Sequence, residues 1–213
     1  MRSLGQVLFT WLTDAWHYLW ELLVFNLLWL ILSIPLITAP PALAGLYYAT
    51  NQLAHEREVN WRAFFEGFRL HFWLGWRWSG LNLLVVVLAF SNYIFYDRLQ
   101  TSWSAWAQGG ILGLLFMWSL LQIFTFPLLV EQSQRKLSIA LRNSLVMYLK
   151  FPGFSLGMAL FILVVAYLLS RFAWPTWLVL NASLFAYMSN RTTVHLIELL
   201  EVERPDRNQQ GGV

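Results

Sequence analysis

The sequence predicts an all-α polytopic membrane protein, a helical bundle of about five transmembrane helices with two amphipathic helices on its cytoplasmic face. Three observations predict it. Charged residues make up only 12% of the 213 and mean hydropathy is +0.54, whereas a soluble domain carries about 25% charged residues. Long uncharged runs recur along the chain, the first beginning at Leu22, and runs of that length read as membrane crossings. The Lys and Arg residues fall mostly in the links between those runs, where cations set topology. Nucleic acid is therefore not an expected partner; the lipid bilayer is.

Thirteen Trp and eight Tyr suit the headgroup level, where rings with one polar edge are favoured. The absence of Cys excludes disulfides, thiolate metal sites and thiol catalysis. No cleavable signal peptide is expected, because no small-residue cleavage site follows the first apolar stretch.

Taken in order, Met1 to Trp20 reads as an interfacial lead-in helix. Span one is about Leu19 to Thr38. It meets Pro35, Pro40 and Pro41 in quick succession, each removing a backbone donor and disfavouring helix just before it, so the chain should kink or turn there. Pro41 to His55 reads as a further helix, with Pro41 in its first turn where the missing N–H costs nothing. Trp61 to Arg77 is amphipathic: Trp61, Phe64, Phe65, Phe68, Phe72 and Trp76 recur at helical spacing, and Arg62, Glu66 and Arg69 line the other side.

Span two is about Trp73 to Tyr96 and span three about Gly109 to Val130, the latter with Pro127 near its end. Gln132 to Lys150 is a second basic amphipathic segment. Span four is about Phe151 to Ser170 and span five about Trp177 to Thr193. Residues 1–197 thus form one membrane domain, and 198–213 a polar, partly disordered cytoplasmic tail.

Orientation follows from the cations. Arg57, Arg62, Arg69 and Arg77 lie between spans one and two, Arg135, Lys136, Arg142 and Lys150 between three and four, and Arg191, Arg204 and Arg207 after span five. Only Arg2, Arg98 and Arg171 remain for the other side, so the rich side is cytoplasmic, with the C-terminus on it. The N-terminus is then outside. If Leu22–Pro35 and Pro41–Leu53 instead form a re-entrant hairpin, it is inside; both arrangements stay open. SIPLI and TFPLL, each followed by a basic amphipathic segment and a span, form a weak internal echo of the kind parallel repeats leave.

Polar residues within apolar runs are costly and mark candidate sites. Asn26, Pro35, Thr38, Pro41, Tyr48 and Asn82 form the candidate solute or helix-packing set. For Asn26 and Asn82, as for Asn92, Gln122 and Asn181, interhelical hydrogen bonding is the plainer expectation. Arg62, Phe65, Phe68 and Arg69, with Arg135, Lys136 and Arg142, are candidate docking or interfacial residues. No catalytic, cofactor or metal site is expected. His17, His55, His71 and His195 lack helical ligand spacing, and no HExxH, phosphate-binding loop or nucleophile elbow occurs.

Asn26-Leu27-Leu28-Trp29, Ser33-Ile34-Pro35-Leu36-Ile37-Thr38, Pro41-Ala42-Leu43-Ala44-Gly45-Leu46-Tyr47-Tyr48, and Phe64-Phe65-Glu66-Gly67-Phe68 with Phe72 resemble the DUF624, or YesL-like, family of bacterial integral membrane proteins. Pro127-Leu128-Leu129 and Leu141-Arg142-Asn143-Ser144 suit its second half. The tryptophan load and the double proline at 40–41 depart from the family pattern. The resemblance implies the bacterial plasma membrane and an association with carbohydrate uptake, and it names no chemistry. The expected function is a non-enzymatic auxiliary or assembly subunit of a carbohydrate transport system, partnered by a transporter complex or by further copies of itself. The alternative is a small-solute transporter or channel with its site at the proline-broken first span, recognisable by a polar cavity beside Asn26, Thr38 and Tyr48.

Overall fold

The computed structural model describes residues 13–14, 16–99, 101–172 and 174–202. Among them every regular element is helical: α1 (Leu19–Ser33), α2 (Ala39–Ala54), α3 (Trp61–Leu70), α4 (Phe72–Leu99), α5 (Ser104–Glu131), α6 (Leu137–Lys150), α7 (Pro152–Phe172) and α8 (Trp174–Val202). Most of the expected lead-in helix and the tail beyond Val202 lie outside the described residues.

α2 is the centre of the molecule, packed against α1, α3, α4, α5 and α8. Its sequence explains this. Pro40 and Pro41 sit in its first turn, as their fixed φ favours. Small residues then recur, and Ala42, Ala44, Gly45, Ala49 and Ala54 are all buried. With so little side chain in the way, neighbouring backbones come close. A Cβ on Gly45 would lie 2.7 Å from the Phe64 carbonyl oxygen of α3, one on Gly67 of α3 would lie 2.5 Å from the Tyr48 Cβ, and one on Gly75 of α4 would lie 2.5 Å from the Pro40 carbonyl oxygen. α3 therefore crosses close against the middle of α2, and the start of α4 against its first turn. Leu46, Leu53, Phe64, Phe124, Phe126 and Leu129 fill the space between them, with Tyr47 against Phe126 at 4.7 Å between ring centres.

The first amphipathic segment is interrupted. α3 starts where the Asn60 carboxamide accepts from the Arg62 N–H at 2.9 Å, an N-cap, and stops at His71, whose N–H closes onto the Gly67 carbonyl. Trp76 and Arg77 belong to α4. The reason is packing: the chain must leave the helical line at His71 to set Gly75 against Pro40. The second amphipathic segment is helical only from Leu137, because Arg135 takes a left-handed backbone conformation with φ 47°.

Among the described residues the structure does not confirm five spans. Two helices among the described residues, α4 and α5, are long and apolar enough to cross a bilayer, each with 28 residues, about 42 Å of helix. α6 with the first part of α7 passes only as a pair bent by 109°, for up to three. α1 has 15 residues, about 22 Å against a hydrocarbon thickness of about 30 Å, so the expected span Leu19 to Thr38 is too short. α8 runs well past the expected end of span five, through Val202. Ser183, Ser189, Asn190, Thr192 and Thr193 along it are all buried, making its second half a core helix rather than a lipid-facing one.

The Gly67 contact is testable. Gly67→Ala should destabilise the protein by about 1–3 kcal/mol, the usual cost of overpacking. Gly80→Ala, with nothing within 4 Å of an added Cβ, should change stability little. Parallel denaturation of the two variants in detergent checks this.

Candidate functional site

The residues singled out from the sequence do not converge on one site. Asn26, fully buried on α1, accepts the Ser183 N–H of α8 at 3.0 Å. Pro35 sits exposed in the turn between α1 and α2. The Thr38 hydroxyl donates to the Leu32 carbonyl and, at 2.8 Å, to that of Pro35, satisfying backbone groups that the prolines release. Pro41 is buried in the first turn of α2. The Tyr48 hydroxyl donates to Glu66 at 3.0 Å. Asn26 and Asn82 thus bond to neighbouring helices, Pro41 packs in the core, and Thr38 and Tyr48 make their bonds elsewhere.

Asn82 belongs to a polar seam between α4 and α5. Its Oδ1 accepts the Trp118 indole N–H at 2.9 Å, and Gln122 Oε1 accepts that of Trp78 at 2.8 Å. At membrane depth such bonds clip two helices together, each contributing about 0.6 kcal/mol and up to about 2. Asn92, by contrast, donates back to Leu88 of its own helix at 2.7 Å.

A denser polar cluster gathers where α2, α5 and α8 meet. Glu131, closing α5, accepts from Asn51 at 2.5 Å and sits 2.7 Å from His55 Nε2. Asn190 donates to the Tyr47 carbonyl at 3.0 Å and to Thr50 Oγ1 at 2.9 Å. Arg191 donates to the Ala54 carbonyl and to Glu56, both at 2.6 Å, with Asp14 at 3.4 Å. One guanidinium thereby caps the carbonyl end of α2, whose last acceptors have no partner within the helix, and ties it to the chain entering α1. Sequence reading counted Arg191 only as a topological cation. The run Asn190-Arg191-Thr192-Thr193 inside an otherwise apolar helix was the available signal.

The docking candidates lie on two elements. Arg62, Phe65 and Arg69 line an open groove on the outer side of α3 with Trp61, Glu66 and Leu70, and the Arg62 guanidinium lies 5.6 Å from the Trp61 ring centre. Phe68 packs inward on the core. Arg135 and Lys136 are exposed before α6, and Arg142 is exposed along it.

A separate cleft of about 290 Å³ lies between α1, α2 and α8, lined by Trp29, Leu30, Leu43, Tyr47, Asn181, Ala182 and Phe185. It is largely apolar, and none of Asn26, Thr38 and Tyr48 lines it.

His71 stands apart. It is buried at the α3–α4 break, its ring 5.5 Å from that of Tyr48, and neither ring nitrogen has a hydrogen-bond partner. Burial, with the Arg135 charge added, pushes its pKa down to about 4.

These features define a class: a membrane-like protein, all-helical among the described residues, many of whose buried polar groups join helices. Residues 22–93 match the model of the family described as "Protein of unknown function, DUF624", so the resemblance read from the sequence is shown over the stretch from α1 into α4. No curated protein and no solved structure matches the chain.

The His71 environment has a pH consequence. An unfolded imidazole titrates near about 6.5, so the unfolded chain binds more protons as pH falls from there toward 4. Stability should be fullest above about pH 6.5, fall through that window and level off below it, by roughly 3 kcal/mol at most. His71→Phe should flatten this component. Denaturation of wild type and variant between pH 7 and 4 checks it, the difference between the two being the reading.

Proposed function

We propose that this protein is a non-enzymatic auxiliary subunit of the bacterial plasma membrane, assembling through α4 and α5 with a carbohydrate transport system. The single observation that carries the proposal is the bareness of α4. No residue in the apolar stretch that qualifies it as a span is fully buried by the rest of its own chain, whereas one third of the equivalent stretch of α5 is. Leu83, Leu84, Val87 and Phe90 on α4 and Leu114 and Phe116 on α5 are all more than half uncovered or close to it. Such a hairpin presents apolar faces to lipid and to the spans of another protein.

Two further considerations support the reading. Polar groups in the seam are consumed in holding α4 to α5, which suits a rigid element used for assembly. The client class comes from the family resemblance alone. The positive-inside rule places the links rich in Arg and Lys, and the C-terminus after them, on the cytoplasmic side. The transporter alternative called for a polar cavity beside Asn26, Thr38 and Tyr48, and those three residues make their hydrogen bonds in separate places.

Purification in mild detergent from membranes at native expression tests the proposal. The expected outcome is co-recovery of a carbohydrate permease in fixed ratio. Recovery of the protein alone would contradict it.

A further inference from the structure

We infer that α1, the turn at 34–38 and α2 form a re-entrant hairpin, whose tip sits among the acyl chains of the leaflet nearer the Arg191 cluster and turns back without crossing. This inference is independent of the proposed assembly role.

The first argument is where the hairpin stops. Its return begins at Pro40, and the Pro40 carbonyl lies against Gly75 in the first turn of α4. From Gly75, α4 runs on to Leu99, about 36 Å further, and α5 returns over that distance. The hairpin therefore turns back level with the first turn of α4, well short of the far end of that helix.

The second argument is that both ends of the hairpin are held together. Arg191 bonds Asp14 ahead of α1 and both Ala54 and Glu56 at the end of α2. The chain enters and leaves at the same pole.

The third argument is chemical. Ile34, Leu36 and Ile37 are 77%, 85% and 69% exposed, and no charged residue occurs from Leu22 to His55. A tip in water or among headgroups would gain nothing from that composition. Non-helical backbone at membrane depth must satisfy its own polar groups, and several in this turn are paired within it. The Thr38 N–H bonds the Pro35 carbonyl at 2.9 Å, the Ala39 N–H bonds that of Leu36 at 3.4 Å, and the Thr38 hydroxyl serves Leu32 and Pro35. The occupant of the tip surface is lipid hydrocarbon, and residues ahead of α1 lie on the same side of the membrane as the link between α2 and α3.

The chain has no native thiol, so single cysteines test this directly. Leu36→Cys, Ile37→Cys, Glu58→Cys and Ser102→Cys are placed in the full-length protein in lipid vesicles of defined orientation. A membrane-impermeant maleimide should label Glu58→Cys from one side and Ser102→Cys from the other. It should label the two tip variants from neither, at least tenfold more slowly. Nitroxides at the tip should be relaxed by oxygen and not by a water-soluble nickel chelate. Labelling of the tip from the Ser102 side would show a full crossing. Nickel access would show a tip in water, and access by neither probe would show a tip covered by protein. Each of these overturns the inference. Agreement of two neighbouring tip sites guards against a single misfolded variant.

Discussion

The close approach of α2 to its neighbours is the constraint from which the rest of the arrangement follows. At Gly45, Gly67 and Gly75 a single added carbon would come within 2.7 Å of a backbone oxygen or a side chain. Helices that near to each other gain dispersion contacts along their whole length, a gain that matters most where lipid offers no hydrophobic penalty for separation. The same closeness fixes direction. α3 must pass against Gly45 and Tyr48, His71 must break the helix, and α4 must start beside the prolines that begin α2.

Polar chemistry then completes what packing begins. Asn51 and Glu131 join α2 to the end of α5, and Asn190 and Arg191 join α2 to the middle of α8, while Asn82, Gln122 and two indoles join α4 to α5. Buried groups of this sort are costly unless they are hydrogen-bonded, and here most of their bonds are made across helix ends and helix seams, with Gln122 Nε2, Asn190 Oδ1 and Arg191 Nε left without a partner. The molecule is thus divided into a tightly joined body around α2 and a projecting, sparsely covered hairpin. That division is the physical basis for reading it as a membrane subunit that works by assembly.

Much of the secondary structure was legible in the sequence, because hydrophobic run length and proline placement act locally. α4, α5 and the start of α2 are where those signals put them. The count of crossings was not legible, since hydropathy records apolarity without saying whether lipid or protein covers it. α1 is apolar and yet too short to cross. α8 is apolar in its first half and carries buried Asn190 and Thr193 in its second. The candidate residues were legible one at a time as helix-joining polar groups, Asn26 and Asn82 among them. Their partners, Ser183 and Trp118, lie 157 and 36 positions away, and single-sequence patterning has no reach over such distances. The three glycine contacts were equally hidden, because a glycine reads the same whether it meets a backbone or open lipid.

Native-state hydrogen exchange in detergent tests the central claim most directly. If α2 is the element around which the others are held, its amides from Ala44 to Leu53 exchange only through global unfolding, with an opening free energy equal to that of the whole protein. Opening of α2 at a lower free energy than α1 or α5 would contradict the account.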